Sequence, residues 1–382
     1  MARLARMVFT WLSSEPGGAE ESVRSLAVEV GRRYGLRPTV VFWQYSGVPP
    51  TGPARGRVDW RPVRSCEEYV RELDRTLVES PAGTVLLSNH RTFAVDIPAA
   101  RAVDIRCAVV FRAIPLPGNA MRYVSPVTGL LTPVMAEAVD WQSVADADAV
   151  VGISDTSAAQ LRGFVRPMDR VRRIYNGIDR TWFRSLGRVR PRPQVRRLLM
   201  ACRLVPWKAA AVAAEAAYHL MAETPGVTLD ILGNGPEAGE LTALAARLGV
   251  GDRVTFRGWQ EDPRPWYRRA DCLVHACPTE GFGRVVAEAN AGGLVAVACQ
   301  TGGTGEQLVE GHTGFSFAPG DVDGCHAALK RFASLPRDAR TRMARRAWRR
   351  CRDLFHVGRA AEEYTALADH LIRHGDVERE WQ

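Results

Sequence analysis

Short apolar runs rich in β-branched residues alternate along the chain with longer stretches whose apolar positions recur every three to four residues. In the first half the strand-like runs are Leu4 to Leu12, Thr39 to Tyr45, Thr84 to Asn89, Cys107 to Pro115, Ala149 to Ser154 and Arg172 to Tyr175. Amphipathic stretches such as Ala19 to Arg33 and Cys66 to Val78 lie between them. The second half repeats the scheme with Arg197 to Arg203, Val227 to Leu232, Val254 to Gly258, Cys272 to Ala276, Leu294 to Cys299 and Gly314 to Phe317. Its intervening helical patterns include Ala209 to Ala222, Glu237 to Leu248 and Asp321 to Ala333. Strands separated by helices predict parallel sheets covered on both faces, because each crossover lays a helix on the sheet. Two consecutive sets predict an α/β chain of two doubly wound, Rossmann-like domains facing a central cleft, not one very wide sheet.

A Pro- and Arg-rich stretch without periodicity, Gly187 to Gln194, marks the boundary, and the turn signal Asn176-Gly-Ile-Asp179 precedes it. The expected division is an N-terminal domain over 1–186 and a C-terminal domain over 187–358. A terminal helix, about 359–382, returns to the first domain. Ligands of such sheets bind beyond the C-terminal ends of the strands, so candidate chemistry is sought there.

The most informative segment is Glu280-Gly-Phe-Gly-Arg-Val-Val-Ala-Glu288, which follows the strand-like run Asp271 to Pro278. Gly281 and Gly283 let backbone approach a ligand closely, and a helix opening after them directs free N–H groups at an anion. Two acids beside an anion site fit a ligand that carries hydroxyls as well as phosphate, and a nucleotide sugar has both. The chain has 51 Lys plus Arg, yet only two of these are lysine, Lys208 and Lys330. Lys208 closes the run Ala201-Cys-Arg-Leu-Val-Pro-Trp-Lys208, where a strand gives way to a loop and an alanine-rich helix. Arg203 and Lys208 there offer a planar fork and a point charge to a diphosphate.

Composition narrows the classes. At 382 residues, 46% apolar and 24% charged, the chain suits two ordinary globular domains. It contains no apolar run of the roughly 18 residues a membrane span needs. The N-terminal apolar stretch is short and runs into Ser-Ser-Glu-Pro-Gly-Gly without a cleavage signal, so it reads as a first buried strand. Eight scattered cysteines without CxxC or metal-ligand spacing indicate a reduced, cytoplasmic protein. Part of the net charge of +9 lies in Arg337 to Arg352, which reads as a solvated helix with arginine on several faces and no apolar stripe wide enough to bury. Attraction to anionic lipid is the sharper alternative for that segment. No nucleic-acid motif accompanies the charge, so nucleic acid is not an expected partner.

These residues, taken in order, resemble the retaining glycosyltransferases of the GT-B fold, family 4, also described as glycosyl transferases group 1. The resemblance rests on Arg203 to Lys208, Leu232-Gly-Asn-Gly-Pro236, Val254-Thr-Phe-Arg-Gly258, Glu280 to Glu288, Gly302-Gly-Thr-Gly-Glu306 and Gly311-His-Thr-Gly314. Gly17-Gly-Ala-Glu20 and Asn176 to Asp179 extend it more weakly into the first domain.

The resemblance implies that Arg203 and Lys208 hold the donor diphosphate and stabilise the leaving group. It places Glu288 on the ribose hydroxyls and Glu280 on the transferred sugar, beside backbone of Gly281, Phe282 and Gly283. Gly233 also lies on the donor side, and Gly258 and Trp259 fall where such enzymes contact the base. Gly17 and Gly18 belong to a loop that approaches phosphates or acceptor. The implied reaction is a metal-independent front-face displacement with no cofactor beyond the nucleotide-sugar co-substrate.

Two departures stand out. Arg112 occupies the place after the fourth strand where members often carry a histidine, and His90, after the preceding strand, is the nearest histidine. Arg112 therefore reads as a ligand for an anionic group or the donor phosphate, and His90 as structural or as catalytic or acceptor-positioning. Gly305 stands where a proline is common. The function expected is transfer from a nucleoside diphosphate sugar, a UDP-sugar first, to a small-molecule acceptor, in a setting such as antibiotic biosynthesis. A nucleotide-sugar epimerase, a transferase directed at lipid or polysaccharide with peripheral membrane contact, and a binding protein that has lost catalysis are the alternatives.

Overall fold

The computed structural model describes residues 3–11, 17–43, 57–89, 92–112, 121–124, 131–134, 141–184 and 191–374. Its strands are β1 Arg6–Trp11, β2 Thr39–Trp43, β3 Asp59–Val63, β4 Thr84–Asn89, β5 Arg106–Phe111, β6 Met121–Val124, β7 Leu131–Val134, β8 Ala149–Gly152, β9 Val171–Arg173, β10 Arg197–Ala201, β11 Thr228–Leu232, β12 Val254–Gly258, β13 Cys272–His275, β14 Val295–Cys299 and β15 Gly314–Phe317. The helices are α1 Gly18–Tyr34, α2 Cys66–Val78, α3 Phe93–Ala102, α4 Trp141–Val144, α5 Asp155–Phe164, α6 Arg180–Phe183, α7 Ala210–Glu223, α8 Ala238–Arg247, α9 Arg264–Arg269, α10 Arg284–Ala291, α11 Gly302–Gln307, α12 Val322–Ser334, α13 Arg337–Phe355 and α14 Val357–His374.

The first unit comprises Met1–Pro115, Ala138–Gly177 and Phe355–Gln382. Its seven-stranded sheet runs β3-β2-β1-β4-β5-β8-β9, all parallel. Val85 to Leu87 and Ala108 to Phe111 are buried, as a sheet covered on both faces requires. Helix starts follow local chemistry: Ser65 caps α2 by accepting from Glu68 N–H, and Ser154 with Ser157 forms a capping box on α5. Between β1 and β4 the carboxyl of Asp96 is fully buried and accepts from the hydroxyls of Thr10, Tyr69, Ser88 and Thr92 at 2.5–2.7 Å. Helix α14 packs on α1, where the guanidinium of Arg33 donates to the Gly358 carbonyl at 2.9 Å.

The second unit holds Leu116–Glu137 and Ile178–Leu354. Its six strands are ordered β12-β11-β10-β13-β14-β15, again all parallel, and β6 and β7 form a separate antiparallel pair. Six alanines of α7 (210, 211, 213, 214, 216 and 217) are buried, so this helix packs closely on β10, β13 and α12.

The last passage out of the first unit falls between Gly177 and Ile178 and the return between Leu354 and Phe355, beside the expected 186/187 and 358/359. A Cβ on Gly177 would lie 2.4 Å from Val357 Cα at the start of α14. Two expectations need correction. The arginine-rich helix α13 does bury a stripe: Arg340, Met343, Ala344, Ala347 and Cys351 recur at three- and four-residue spacing. Strand β3 falls between the expected strand Thr39 to Tyr45 and the helical stretch Cys66 to Val78, where no strand was expected.

Candidate active site in the second unit

In a sheet of order β12-β11-β10-β13-β14-β15 the chain departs in opposite directions from β10 and β13, and ligands bind where that reversal opens a crevice at the strand C-termini. The loops after β10 and β13 carry the residues singled out above.

After β10 the chain makes a one-turn 3₁₀ helix, Pro206–Lys208, and passes through Ala209 in the left-handed region at φ 49°. Arg203 is exposed, with its guanidinium carbon 5.3 Å from the centre of the Trp207 ring. Lys208 turns to the neighbouring loop, and its Nζ donates to Glu280 Oε2 at 2.7 Å. His275 Nε2, buried at the end of β13, lies 3.5 Å from the same carboxylate oxygen. Burial opposes a charge on Glu280, but Lys208 and then His275 outweigh it and hold the carboxyl far below its ordinary range. Burial likewise opposes the Lys208 charge, and the Cys277 sulfur and Glu280 outweigh it, so the ammonium is held above its usual range. Burial pushes the Cys277 thiol up to about 12; it is therefore neutral, and Glu280 is the operative partner. His275, Cys277 and Glu280 bring one ligand atom each within 4.8 Å of one another. A cation on that trio would have to displace the Lys208 ammonium from Glu280.

The glycine turn is clamped from behind by α11. Gly303 N–H donates to the Glu280 carbonyl at 3.0 Å, and Thr301 Oγ1 donates to the Cys277 carbonyl at 3.2 Å. Gln307 Nε2 donates to the Phe282 carbonyl. A Cβ on Gly303 would come within 2.4 Å of the Gly281 carbonyl oxygen, so these two turns meet only where that side chain is absent. Gly283, at φ 81°, opens α10. Gly305 N–H donates to the Thr301 carbonyl at 3.1 Å, a bond that a proline at 305 could not make.

Glu288 sits one turn into α10, and Oε1 accepts from Arg284 Nε at 3.1 Å and Nη2 at 2.9 Å. Both side chains are buried. On the other flank, Gly233 N–H donates to the Gly258 carbonyl at 2.8 Å, tying the ends of β11 and β12 together. A Cβ on Gly233, at φ 118°, would lie 1.9 Å from the Cys202 carbonyl oxygen. Trp259 follows with 57% of its surface exposed. Thus the structure joins Lys208 to Glu280, Gly281–Gly283 to α11, and Gly233 to Gly258. It pairs Glu288 with Arg284, which sequence reading passed over although the i, i+4 spacing announces it. His275, Cys277 and Gln307 were missed as well.

In the first unit, Gly17 precedes α1 in extended backbone and Gly18 is its first residue, with Glu20 and Glu21 in the first turn. Arg112 Nη1 donates to Asn176 Oδ1 at 2.8 Å. His90 lies outside the described residues.

Residues 188–350 match the family described as Glycosyl transferases group 1. A lipopolysaccharide core biosynthesis glycosyltransferase, LpsE, of Rhizobium meliloti is 36% identical over 33% of this chain and 37% of its own. A GDP-mannose-dependent α-(1-6)-phosphatidylinositol monomannoside mannosyltransferase of Mycolicibacterium smegmatis is 30% identical over 51% of this chain and 55% of its own. The chain thus spans roughly a third to just over half of the length of these curated relatives. HepE of Anabaena, solved with UDP and glucose, superposes with a TM-score of 0.73 at 19% identity, covering 95% of this chain and 99% of that one. A glycosyltransferase of Rickettsia africae superposes at 0.76 with 15% identity over 97% and 100%. These likenesses give the fold, GT-B. The match to the group 1 glycosyltransferases lies within the second unit.

Proposed function

We propose that the chain transfers a sugar from a nucleoside diphosphate sugar to an acceptor hydroxyl, with retention at the anomeric carbon and without a metal. The observation that carries this reading is the Lys208–Glu280 pair at the switch point, beside a glycine turn held rigid by α11. An ammonium has three N–H donors and Glu280 takes one, so Lys208 can hold the carboxylate and meet a phosphate together. Arg203 adds a guanidinium on the same loop. Positive charge fixed there supports the leaving diphosphate as its bond to the sugar breaks. Glu280 then offers its other oxygen to a sugar hydroxyl, and Glu288, oriented by Arg284, serves the ribose. Gly258 and Trp259 take the base and Gly233 lies on the donor side, while Gly17 and Gly18 approach the phosphates or the acceptor, Arg112 binds an anionic group or the donor phosphate, and His90 is the candidate for positioning the acceptor.

A UDP-sugar is the first donor class, since HepE was solved with UDP and glucose; the mannosyltransferase relative names GDP-mannose as the competitor. The acceptor is read as a small soluble molecule in the cytoplasm, with antibiotic-type metabolites suggested by the lysine-poor, arginine-rich composition. A second reading has specific support. The relatives named for lipopolysaccharide core and phosphatidylinositol mannoside favour a lipid- or saccharide-linked acceptor, as does the net charge of +9. No described helix is long and apolar enough to cross a membrane.

The test incubates the protein with UDP- and GDP-sugars, alone and with soluble or lipid-linked acceptors, with EDTA added in parallel. Transfer with retention that survives EDTA supports the reading. A new sugar nucleotide formed without acceptor would assign an epimerase instead, and loss of turnover in EDTA would overturn the metal-independent mechanism.

A further inference from the structure

The opposite edge of the second sheet carries a feature that donor chemistry does not use. A cavity of about 220 Å³ lies at the N-terminal ends of β13 and β14, lined in part by Arg192, Arg268, Arg340, Asp271, Leu294 and Phe332. Arg340 is 1% exposed, which is exceptional for an arginine. One of its nitrogens, Nη2, donates to the carbonyls of Arg192 and Pro193 at 2.8 and 2.7 Å, tying α13 to the segment that leads into β10. Its Nε and Nη1 are buried and have no hydrogen-bond partner. A buried donor left unsatisfied is costly, and more so when it is charged.

The one carboxylate in the wall does not answer this demand. Asp271 Oδ1 accepts from Arg192 Nη1 at 2.8 Å, and Oδ2 accepts from the backbone N–H groups of Arg196 and Arg197 at 2.8 and 2.9 Å. Three guanidiniums therefore line the cavity against a single carboxylate already engaged on both oxygens. The volume is below the roughly 300–1,000 Å³ of clefts that take drug-sized ligands, so the occupant is small. We propose that this cavity is a binding site for a small phosphate-class oxyanion, seated on the Arg340 guanidinium and flanked by Arg268. A guanidinium fork matches tetrahedral oxyanions in shape as well as charge.

The site is distinct from the candidate active site, since in a parallel sheet the loops before β13 and those after it lie on opposite edges. It is nevertheless joined to that site by β13, Cys272–His275, which Asp271 precedes and the loop to Glu280 follows. Bound anion would fix the near end of this strand and the segment entering β10, a route by which a phosphate-bearing metabolite can modulate the unit.

Isothermal titration of the full chain with inorganic phosphate and with glycerol 3-phosphate, at constant ionic strength against chloride, tests the proposal. Saturable binding is expected. It should weaken by at least about tenfold in Arg268→Ala, the loss that goes with one charge-assisted hydrogen bond. Arg340→Lys keeps a charge but loses the fork, and should weaken binding similarly. Arg247→Ala, an exposed arginine of α8 outside both sites, should leave it unchanged. Tighter binding of the ester than of phosphate would identify the source as a metabolite, and the reverse would identify free phosphate. Absence of saturable binding, or equal affinity in Arg268→Ala, Arg340→Lys and wild type, overturns the site.

Discussion

Lys208 Nζ lies 2.7 Å from Glu280 Oε2, which joins the loop after β10 to the loop after β13 across 72 positions of sequence. Each side chain keeps about a fifth of its surface in water. The pair is therefore worth less than the roughly 3–5 kcal/mol lost when a fully buried ion pair is broken. A double-mutant cycle of Lys208→Met and Glu280→Gln, measured by chemical denaturation, should give a coupling of about 1–3 kcal/mol. Additive effects would show that the two loops are held by other contacts.

Arg284 and Glu288 form the more buried pair. Arg284→Met leaves the carboxylate without its guanidinium and should cost about 3–5 kcal/mol, whereas the combined Arg284→Met and Glu288→Leu should recover much of that loss. A double variant no more stable than Arg284→Met would contradict the pairing account.

The clamp on the glycine turn makes a steric prediction. Gly303→Ala forces a Cβ to within 2.4 Å of the Gly281 carbonyl oxygen and should destabilise by about 1–3 kcal/mol. Gly305→Ala meets nothing closer than 3.5 Å and should stay within about 0.5 kcal/mol of wild type. Melting temperatures of the two variants would reverse the argument if 303 tolerated alanine as well as 305 does.

Glu237 supplies a pH signature. Burial, and after it the neighbouring Glu240, push its carboxyl up from the ordinary 4.5 to about 7. The folded chain thus holds this proton more tightly than the unfolded chain, and the associated stability is present at low pH and lost as pH rises through that window. Between pH 4.5 and pH 7 the melting temperature of Glu237→Gln should fall less, or rise more, than that of wild type. Identical pH dependence in the two proteins would exclude the shift.

Much of the architecture was legible because it is written at short range. The β-branched runs and the helical periods between them gave both parallel sheets, and glycine spacing with Lys208 and the two acids located the switch-point loops. What escaped depends on partners distant in sequence. Nothing near Arg340 in the chain announces that it turns inward to cap two carbonyls of residues 192 and 193, so α13 read as solvated. His275 and Cys277 looked like ordinary strand residues until the fold set them beside Glu280. Asp96 gathers hydroxyls from four different places, a constellation that no local pattern reveals. Arg284 is the exception: its spacing from Glu288 was visible.

The central claim is that Lys208 and Glu280 together form the seat of a nucleotide-sugar diphosphate, and direct donor binding tests it best. Isothermal titration of wild type with UDP- and GDP-sugars should reveal one saturable donor class, and Lys208→Ala should weaken that affinity by about tenfold or more. Undiminished affinity in Lys208→Ala, or no donor bound by wild type, would contradict the account.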